Sequence, residues 1–370
     1  MTGLLADNNV GLNVADVVWD ANGYVFYCPC HGRFGNQADQ FLGSFAFSKQ
    51  LNRTLVLPPW RTYAGEQKMA PFDDFFQVDP LRAYHRVILA KDFVDKLATS
   101  NWPLAQRSAF CYMQDDNEKP CTTSHKFFQE FWRFVGIPAF TKSENIKGLR
   151  FDVSGVEAWR ERFPASKFPV IALRGPPAPF PVPQMQWPIQ QYLQWSPKIY
   201  TPAKSHIESL FRNEPYLGIH LRNGEDWTKA CALLDEDGRH GLTNLMASSQ
   251  CIGEHPAQPV TKEQCFPSKA HVINTVEETV KEYGLKNVYI ATDSDSYISE
   301  FRGRMPAVNF VHLNPTVPQI DLCILGESDI FIGNCVSSFS SFVRRQREVN
   351  GKATLYFGMP IATDDAHNEL

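Results

Sequence analysis

The chain has 370 residues, a length that favours two domains of about 150–200 residues each over one compact core. Hydrophobic residues make up 43% of the sequence and charged residues 21%, which excludes wholesale disorder. The formal net charge is −4 and no apolar run approaches the roughly 18–20 residues of a membrane span. We therefore expect a soluble globular chain with no nucleic-acid partner and no membrane span.

The first predicted unit begins with a strand, a turn and a helix. A short buried strand is predicted at 23–27, and a glycine-bearing turn follows at 28–36. Apolar residues then recur mostly at helical spacing over 37–51, and Thr54–Leu57 has the composition of a second strand. Strand, turn, helix and strand in this order predict a βαβ unit with a parallel sheet.

A proline-rich stretch follows farther along the chain. Ten prolines fall within residues 164–202. Proline fixes φ and has no N–H to donate, so the stretch is predicted to contain neither a long helix nor a central strand. We interpret it as the connection between two domains, and its aromatic residues indicate that it packs against the surface.

Strand and helix signals alternate again beyond this connection. The predicted elements lie at 217–221, 271–283, 287–291, 294–301, 309–313, 320–326, 329–333, 338–345 and 354–357. Residues 226–267 form a cysteine-bearing, poorly periodic insert, interpreted as loops held by disulfides. The predicted fold is α/β, with two doubly wound units facing a cleft and ligands at the carboxyl ends of strands. The predicted divisions are a tail at 1–22, domains at 23–200 and 201–358, and a tail at 359–370.

The nine cysteines include at least one that cannot be paired, because their number is odd. They lack the paired C-x-x-C spacing of a structural zinc site. Buried thiols in a cytosolic enzyme remain one interpretation. The other is an oxidising lumen, supported by the glycosylation pattern at Asn52 and by the C-terminal His-Asn-Glu-Leu, which is close to a retrieval signal for the endoplasmic reticulum. The first 25 residues show no signal peptide.

An arginine stands where a predicted strand ends before a glycine turn. Arg222 follows the strand predicted at 217–221 and precedes Gly224. Its planar guanidinium suits a diphosphate, which accepts two parallel hydrogen bonds from it. An arginine paired with Glu225 or Asp226 at the rim is the alternative, and the motif alone leaves both open.

Two further turns have features of anion sites. The strand predicted at 329–333 runs into a serine-rich turn that opens a helix, and the turn at 31–36 carries two glycines before another helix. An ordinary serine N-cap and a turn shaped only for packing remain the alternatives. Asp293 and Asp295 have D-x-D spacing without further carboxylates beside them, so we interpret them as solvated turn residues and expect no metal.

Taken together, residues 31–37, 220–227 and 331–339 resemble the GDP-fucose protein O-fucosyltransferases, of the type that acts on EGF repeats. The resemblance covers about residues 22–358 and implies a GT-B fold with two Rossmann-like domains. It implies inverting transfer of fucose from GDP-fucose to a Ser or Thr hydroxyl of folded EGF-like repeats, with Notch-type receptors as substrates. It further implies a monomer in the lumen of the endoplasmic reticulum that needs no metal or cofactor.

The resemblance also implies roles for individual residues. Arg222 is the expected principal catalytic residue, assisting the departure of GDP, and Asn36 is expected to orient the acceptor hydroxyl. The residues expected to hold GDP-fucose are Arg33, Phe34, Gly35, Asn36, His220, Leu221, Arg222, Asp321, Ser338 and Phe339. The implied disulfides are Cys28–Cys30, Cys111–Cys121, Cys231–Cys265 and Cys251–Cys335, with Cys323 free.

Two other functions compete with this interpretation. One is a GT-B transferase that uses a different nucleotide sugar, because phosphate contacts do not distinguish the base or the sugar. The other is a lumenal chaperone or lectin-like protein that binds EGF-repeat proteins without catalysis. A pure binder has no need of Arg222 and Ser338 facing one cleft.

Overall fold

A computed structural model of the chain describes residues 17–30, 32–62, 68–112, 126–232, 234, 251 and 260–359. Three features singled out in the sequence lie outside these residues: His31, Cys121 and the C-terminal residues 367–370. We call residues 17–196 the first unit and residues 197–359 the second unit. In the described part of the chain, no helix combines the length and apolar character needed to cross a bilayer.

The described strands form two parallel sheets and one short antiparallel pair. In chain order they are β1 Tyr24–Tyr27, β2 Thr54–Leu57, β3 Trp60–Arg61, β4 Met69–Ala70, β5 Val87–Leu89, β6 Ser108–Tyr112, β7 Lys142–Ile146, β8 Val170–Leu173, β9 Tyr216–Leu221, β10 Asn287–Thr292, β11 Asn309–Val311, β12 Ile330–Gly333 and β13 Leu355–Tyr356. The first sheet has the order β5-β2-β1-β8-β6-β7 and the second the order β11-β10-β9-β12-β13. All neighbours in these two sheets run parallel.

Helices connect the strands and cover the sheets. The described α-helices are α1 Phe34–Leu51, α2 Phe72–Phe75, α3 Asp79–Arg82, α4 Ala90–Asp92, α5 Thr99–Asn101, α6 Lys126–Phe134, α7 Val156–Arg162, α8 Pro197–Phe211, α9 Glu225–Cys231, α10 Lys262–Cys265, α11 Lys269–Glu282, α12 Ile298–Arg304, α13 Gln319–Glu327 and α14 Ser338–Glu348. A π-helical segment, Phe93–Ala98, joins α4 to α5. The predicted α/β class with two doubly wound units of the GT-B type is confirmed.

Each parallel sheet is built around strands with no solvent-exposed face. All residues of β1, β2, β8 and β9 are buried, as expected when helices cover both faces of a sheet. In both sheets the strand order reverses at the first strand of the unit, with β1 between β2 and β8, and β9 between β10 and β12. Ligands of open α/β sheets bind beyond the carboxyl ends of strands at such reversal points. We therefore expect a ligand to bind near the residues that follow β1 and β9.

The proline-rich stretch was wrongly predicted to contain no central strand, and its role as the connection between domains stays a prediction. Residues 164–202 contain β8, a central strand of the first sheet, and the start of α8. No proline falls inside the four residues of β8, because Pro169 and Pro176 flank it, so its ladder is intact. Pro197 lies in the first turn of α8, where its missing N–H has no intrahelical partner to lose.

The elements predicted for the second unit are confirmed, with shifts of a few residues at their ends. The helix predicted at 294–301 is α12, which begins four residues later, at Ile298. The insert predicted as loops has a helix at each end, α9 and α10. The boundary predicted between residues 200 and 201 lies within α8, and the limits of the domains stay a prediction.

The two units share an aromatic core through α14. Phe342 of α14 packs against Phe34, Phe76 and Trp195 of the first unit, with ring centroids 5.9, 6.1 and 5.1 Å apart. Phe342 is fully buried, so this contact removes apolar surface of both units from water. Consequently α14 is a structural element of both units, although it follows β12 of the second sheet.

Three disulfides lie within the described residues: Cys28–Cys30, Cys231–Cys265 and Cys251–Cys335. These are pairings that the family resemblance implies, and Cys323 is a buried free thiol, as it also implies. The fourth pairing, Cys111–Cys121, includes a cysteine outside the described residues. Two of the disulfides tie the insert between α9 and α10 to itself and to the turn after β12.

Candidate active site

Three neighbouring strands of the second sheet deliver polar groups to one edge. β9 lies between β10 and β12, and each pair is parallel and in register. Arg222 follows β9, Asp293 follows β10, and the turn leading to Ser338 follows β12. The carboxyl ends of parallel strands meet at the same edge, so the guanidinium and the start of α14 lie on the same side of the sheet.

Three side chains hold the guanidinium of Arg222. Its Nη2 donates to Asp226 Oδ2 at 2.7 Å, its Nη1 pairs with Asp293, and its Cζ lies 4.9 Å from the ring centroid of Trp227. The hydrogen bond from Arg222 lowers the pKa of Asp226 below its usual value. The side chain of Arg222 is 14% exposed. The rim pairing with Asp226 considered from the sequence therefore exists, and it fixes the guanidinium at the strand end.

Asp293 lies in an exposed turn, as predicted, but it also pairs with Arg222, which was not predicted. One carboxylate oxygen accepts hydrogen bonds from the backbone N–H groups of Asn223 and Gly224, each at 3.1 Å, while the other pairs with Arg222. A Cβ on Gly224 would lie 2.8 Å from Asp293 Oδ2, so only glycine leaves room for this carboxylate. The sequence spacing could not reveal this role, because Asp293 is 71 residues from Arg222 and meets it only across neighbouring strands.

The beginning of α14 is the second polar feature of the site. Its N-cap residue, Ser337, has no side-chain capping hydrogen bond, and the helix starts at Ser338. The first N–H groups of a helix lack intrahelical partners and carry the positive end of the helix dipole. A helix of 11 residues that begins at a strand end is therefore suited to bind a phosphate group there.

The start of α1, in the first unit, packs against this helix tip. Ser338 Oγ donates to Asn36 Oδ1 at 2.5 Å, which joins the two units by a direct side-chain hydrogen bond. Gly35 packs so closely that a Cβ there would lie 2.7 Å from the carbonyl carbon of Ser338 and 2.8 Å from the nitrogen of Phe339. Glycine is required at this position by the approach of the two backbones.

His220 lies at the floor of the site in its neutral form. Burial, together with the charge of Arg222, lowers the pKa of His220 to about 3. Ser340 Oγ accepts the N–H of Asn334 at 3.0 Å and lies 2.8 Å from His220 Nδ1. The Ser340 hydroxyl is thus placed to donate to Nδ1, which leaves the imidazole proton on Nε2. The ring of Phe339 packs at 4.6 Å, so His220 is a fixed, uncharged donor.

Asp321 is a buried carboxyl group on the first turn of α13. Tyr289 donates its hydroxyl to Asp321 Oδ1 at 2.5 Å. Burial raises the pKa of Asp321 to about 6, opposed by the Tyr289 hydrogen bond and by the nearby His312. The group is therefore ionised at neutral pH and protonated in mild acid. Its hydrogen bond with Tyr289 connects α13 to β10.

Two residues expected at the site have their side chains in the core. Phe34 lies 5.1 Å from Trp60 in the aromatic cluster, and Leu221 is buried among apolar residues of the second sheet. Contacts of these two residues with a ligand are consequently limited to their backbone atoms. Arg33 is the opposite case, since its guanidinium is largely exposed and lies 3.9 Å from Asp226 Oδ2.

A cavity of about 220 Å³ lies in the first unit beside the turn after β1. Its lining includes the Cys28–Cys30 disulfide, Arg61 and the exposed ring of Phe127. Arg61 stacks on Phe127 at 3.8 Å and donates to the carbonyl of Cys30 at 3.1 Å. The side-chain amide of Gln37 bonds the backbone of Arg61 and the carbonyl of Gly32, which ties the cavity wall to the start of α1, where Asn36 lies.

Seven of the ten residues expected to hold GDP-fucose fall into two connected groups, whereas Asp321 bonds Tyr289 instead. Arg33 and Arg222 meet at Asp226, while Gly35 and Asn36 meet Ser338 and Phe339, which in turn contacts His220. Asp293 and Trp227 contact Arg222 in the first group, and Ser340 contacts His220 in the second. None of these three was predicted as a site residue. Within the residues that the structure describes, no three His, Cys, Asp or Glu side chains are grouped to hold a metal ion.

Comparisons with known proteins give a consistent family. The profile of the GDP-fucose protein O-fucosyltransferases matches residues 24–350. A curated relative from Caenorhabditis elegans, GDP-fucose protein O-fucosyltransferase 1, is 37% identical over 361 residues, covering 92% of this chain and 91% of the relative.

Solved structures with the same fold agree. A crystal structure of POFUT1 in complex with GDP-fucose is 36% identical, with a TM-score of 0.86, and covers 94% of this chain and 100% of that one. A crystal structure of POFUT1 in complex with GDP is 37% identical, with a TM-score of 0.85, and covers 92% and 100%. The chain described here therefore belongs to the GDP-fucose protein O-fucosyltransferase family and is a glycosyltransferase that attaches fucose to protein.

Proposed function

We propose that this enzyme transfers fucose, with inversion, from GDP-fucose to a Ser or Thr hydroxyl of folded EGF-like repeats, including those of Notch-type receptors. The observation that carries the proposal is the hydrogen bond between Asn36 and Ser338, at the same edge of the second sheet as the fixed guanidinium of Arg222. This hydrogen bond joins Asn36 of the first unit, which we assign to the acceptor, to the start of α14, which we assign to the phosphates of the donor. A protein that only bound EGF repeats would not need this arrangement.

The donor side of the proposal is built on the second unit. Arg222 and the N–H groups at the start of α14 would hold the diphosphate, because both offer fixed donors at neighbouring strand ends. The remaining predicted contacts would come from Arg33, from His220 Nε2 and from backbone atoms near Phe34 and Leu221. The ionised Asp321 would accept hydrogen bonds from N–H groups of the guanine ring, a pattern that only a purine with such donors satisfies.

The rate of transfer increases most through hydrogen-bond donors that stabilise the β-phosphate as the bond between fucose and GDP breaks. As fucose leaves with the character of an oxocarbenium ion, negative charge grows on the β-phosphate. Donors already aimed at that phosphate strengthen their interaction in the transition state without reorganising. Asp226, Asp293 and Trp227 keep Arg222 in one orientation, so the guanidinium needs no rearrangement when charge develops.

The acceptor would approach from the first unit. Asn36 would orient the acceptor hydroxyl, and the contact of Asn36 with Ser338 supports a position for that hydroxyl next to the donor diphosphate. The cavity beside the turn offers an aromatic and cationic wall to a small protein domain. Three disulfides in the described residues agree with an oxidising compartment, which is where EGF repeats fold.

The lumen of the endoplasmic reticulum is therefore the proposed location, with the enzyme as a monomer and without a metal or cofactor requirement. The side chain of Asn52, in the glycosylation pattern, is exposed at the end of α1, whereas Thr54 of the same pattern is buried. Glycan attachment to Asn52 would accordingly precede folding of β2.

The test is incubation of a folded EGF repeat with GDP-fucose and a chelator, followed by mass spectrometry of the repeat. We expect a gain of one deoxyhexose on a Ser or Thr, no gain with the reduced repeat, and none with GDP-mannose. The matched control is the Arg222→Ala enzyme, which should bind the repeat and transfer little. Binding of the repeat without transfer by the unaltered enzyme would contradict the proposal and favour the lectin-like alternative.

A further inference from the structure

A buried ion pair joins the two helices that carry Asn36 and Ser338. Asp39 lies one turn after Asn36 on α1, and Arg345 lies two turns after Ser338 on α14. Arg345 Nη1 is 2.6 Å from Asp39 Oδ1, and both side chains are 2% exposed. The pair therefore connects the first unit to the second in the interior, on the same helix faces as the hydrogen bond at the site.

Each member of the pair has a second partner in the segment between β8 and α8. The N–H of Val182 donates to Asp39 Oδ2 at 3.3 Å, and Arg345 Nε donates to Gln190 Oε1 at 3.3 Å. A carboxylate and a guanidinium bonded in this way have a narrow choice of orientations. Sliding α14 along α1 would break the ion pair and the bond of Arg345 to Gln190, while Val182 keeps the Asp39 carboxylate in place within the first unit.

Stability alone does not explain such a pair. Taking two charges out of water costs about as much as their attraction returns, so apolar residues of similar size often stabilise a core as well. What an ion pair adds is direction, because its energy depends on the relative position of the two groups. Apolar residues packed at these positions could supply the same stability, but they would not fix the position of α1 relative to α14 as the ion pair does.

We propose that Asp39 and Arg345 are positioning residues for fucosyl transfer. Their ion pair sets the register of α1 against α14 and so places Asn36 on Ser338, which brings the acceptor side onto the donor side. The inference rests on the proposed function, since it assumes that the donor is held by the second unit and the acceptor oriented by the first.

The first test is Arg345→Met, compared with Arg347→Met on the same helix. Arg347 is equally buried, but its partners, the carbonyls of Ser328, Asp329 and Ala353, all belong to the second unit. For R345M we expect kcat to fall about a hundredfold, the effect of a displacement of about 1 Å at the reacting groups. Its Kd for GDP should stay within about twofold of the unaltered enzyme. R347M should lower Tm but leave kcat of the folded enzyme unchanged.

The second test separates position from stability. Asp39→Leu combined with Arg345→Met removes both buried charges, so it should recover most of the Tm lost in either single variant. It should not recover kcat, because the direction-dependent bond is gone. Arg345→Lys keeps the charge and should retain more kcat than R345M does.

Two results would overturn the inference. One is a kcat of R345M no lower than that of R347M, and the other is full recovery of kcat in the D39L/R345M enzyme. Failure of the proposed function would look different, because the unaltered enzyme would then transfer no fucose to an EGF repeat under the same conditions.

Discussion

Substitution of Gly35 by alanine tests whether the contact between the two units matters for turnover. The added Cβ would lie 2.7 Å from the carbonyl carbon of Ser338, where ordinary contacts are 3.4–4.0 Å, so the two backbones must separate by about 0.7–1.3 Å. The Cβ would also meet Ser338 Oγ at 2.7 Å, but two of the three colliding atoms are backbone, so rotation of the Ser338 side chain alone does not relieve the contact. A misplacement of about 1 Å at a reacting centre lowers the rate about a hundredfold, or about 2.7 kcal/mol in the barrier.

The assay is single-turnover transfer of fucose to a folded EGF repeat at saturating GDP-fucose. Overpacking should also lower the free energy of unfolding of G35A by about 1–3 kcal/mol, so transfer is measured well below its Tm. Gly303→Ala is the matched control, because a Cβ on this helical glycine meets nothing within 4 Å. G303A should keep its turnover and gain about 0.5–1 kcal/mol in stability. Turnover of G35A within threefold of the unaltered enzyme, with normal folding, would show that the close contact between α1 and α14 is not needed for turnover.

The remaining predictions concern the charged and titrating groups of the site. Arg222→Lys keeps the charge but loses the planar fork, and should lower kcat about 10²–10³-fold in the same assay. Asp293→Asn should lower kcat by a smaller factor, since Asp226 still holds the guanidinium. With the pKa of His220 at about 3, the pH profile of kcat between 5 and 8 should show no ionisation of this group. The unfolded chain takes up this proton near pH 6.5, so stability falls as pH drops from 6.5 towards 3, and urea unfolding of H220Q should lack this contribution. Because Asp321 is protonated below about pH 6, calorimetry should show GDP affinity weakening below that pH more steeply in the unaltered enzyme than in D321N.

The sequence was sufficient where local pattern determines structure. Strand β9, the glycine turn after it and the helix α11 were all predicted within a few residues, because burial and helical periodicity leave local signals. The serine-rich turn before α14 was identified for the same reason. The three motifs at strand ends then sufficed to indicate the family.

Long-range pairing was beyond sequence reasoning. β8 was missed because a strand of four residues between prolines has a weak local signal, and its central position comes from pairing with β1 and β6. The pairing of Asp293 with Arg222 was missed because the two residues follow different strands. The ion pair of Asp39 with Arg345 likewise depends on how the two units pack. Each miss involves a contact between residues far apart in the chain.

A crystal structure of the enzyme with GDP-fucose bound would show whether Arg222 and the start of α14 hold the same diphosphate. We expect diphosphate oxygens within about 2.7–3.2 Å both of the guanidinium of Arg222 and of an N–H or hydroxyl donor at the start of α14. A diphosphate that reaches only one of these two groups, or neither, would contradict this expectation.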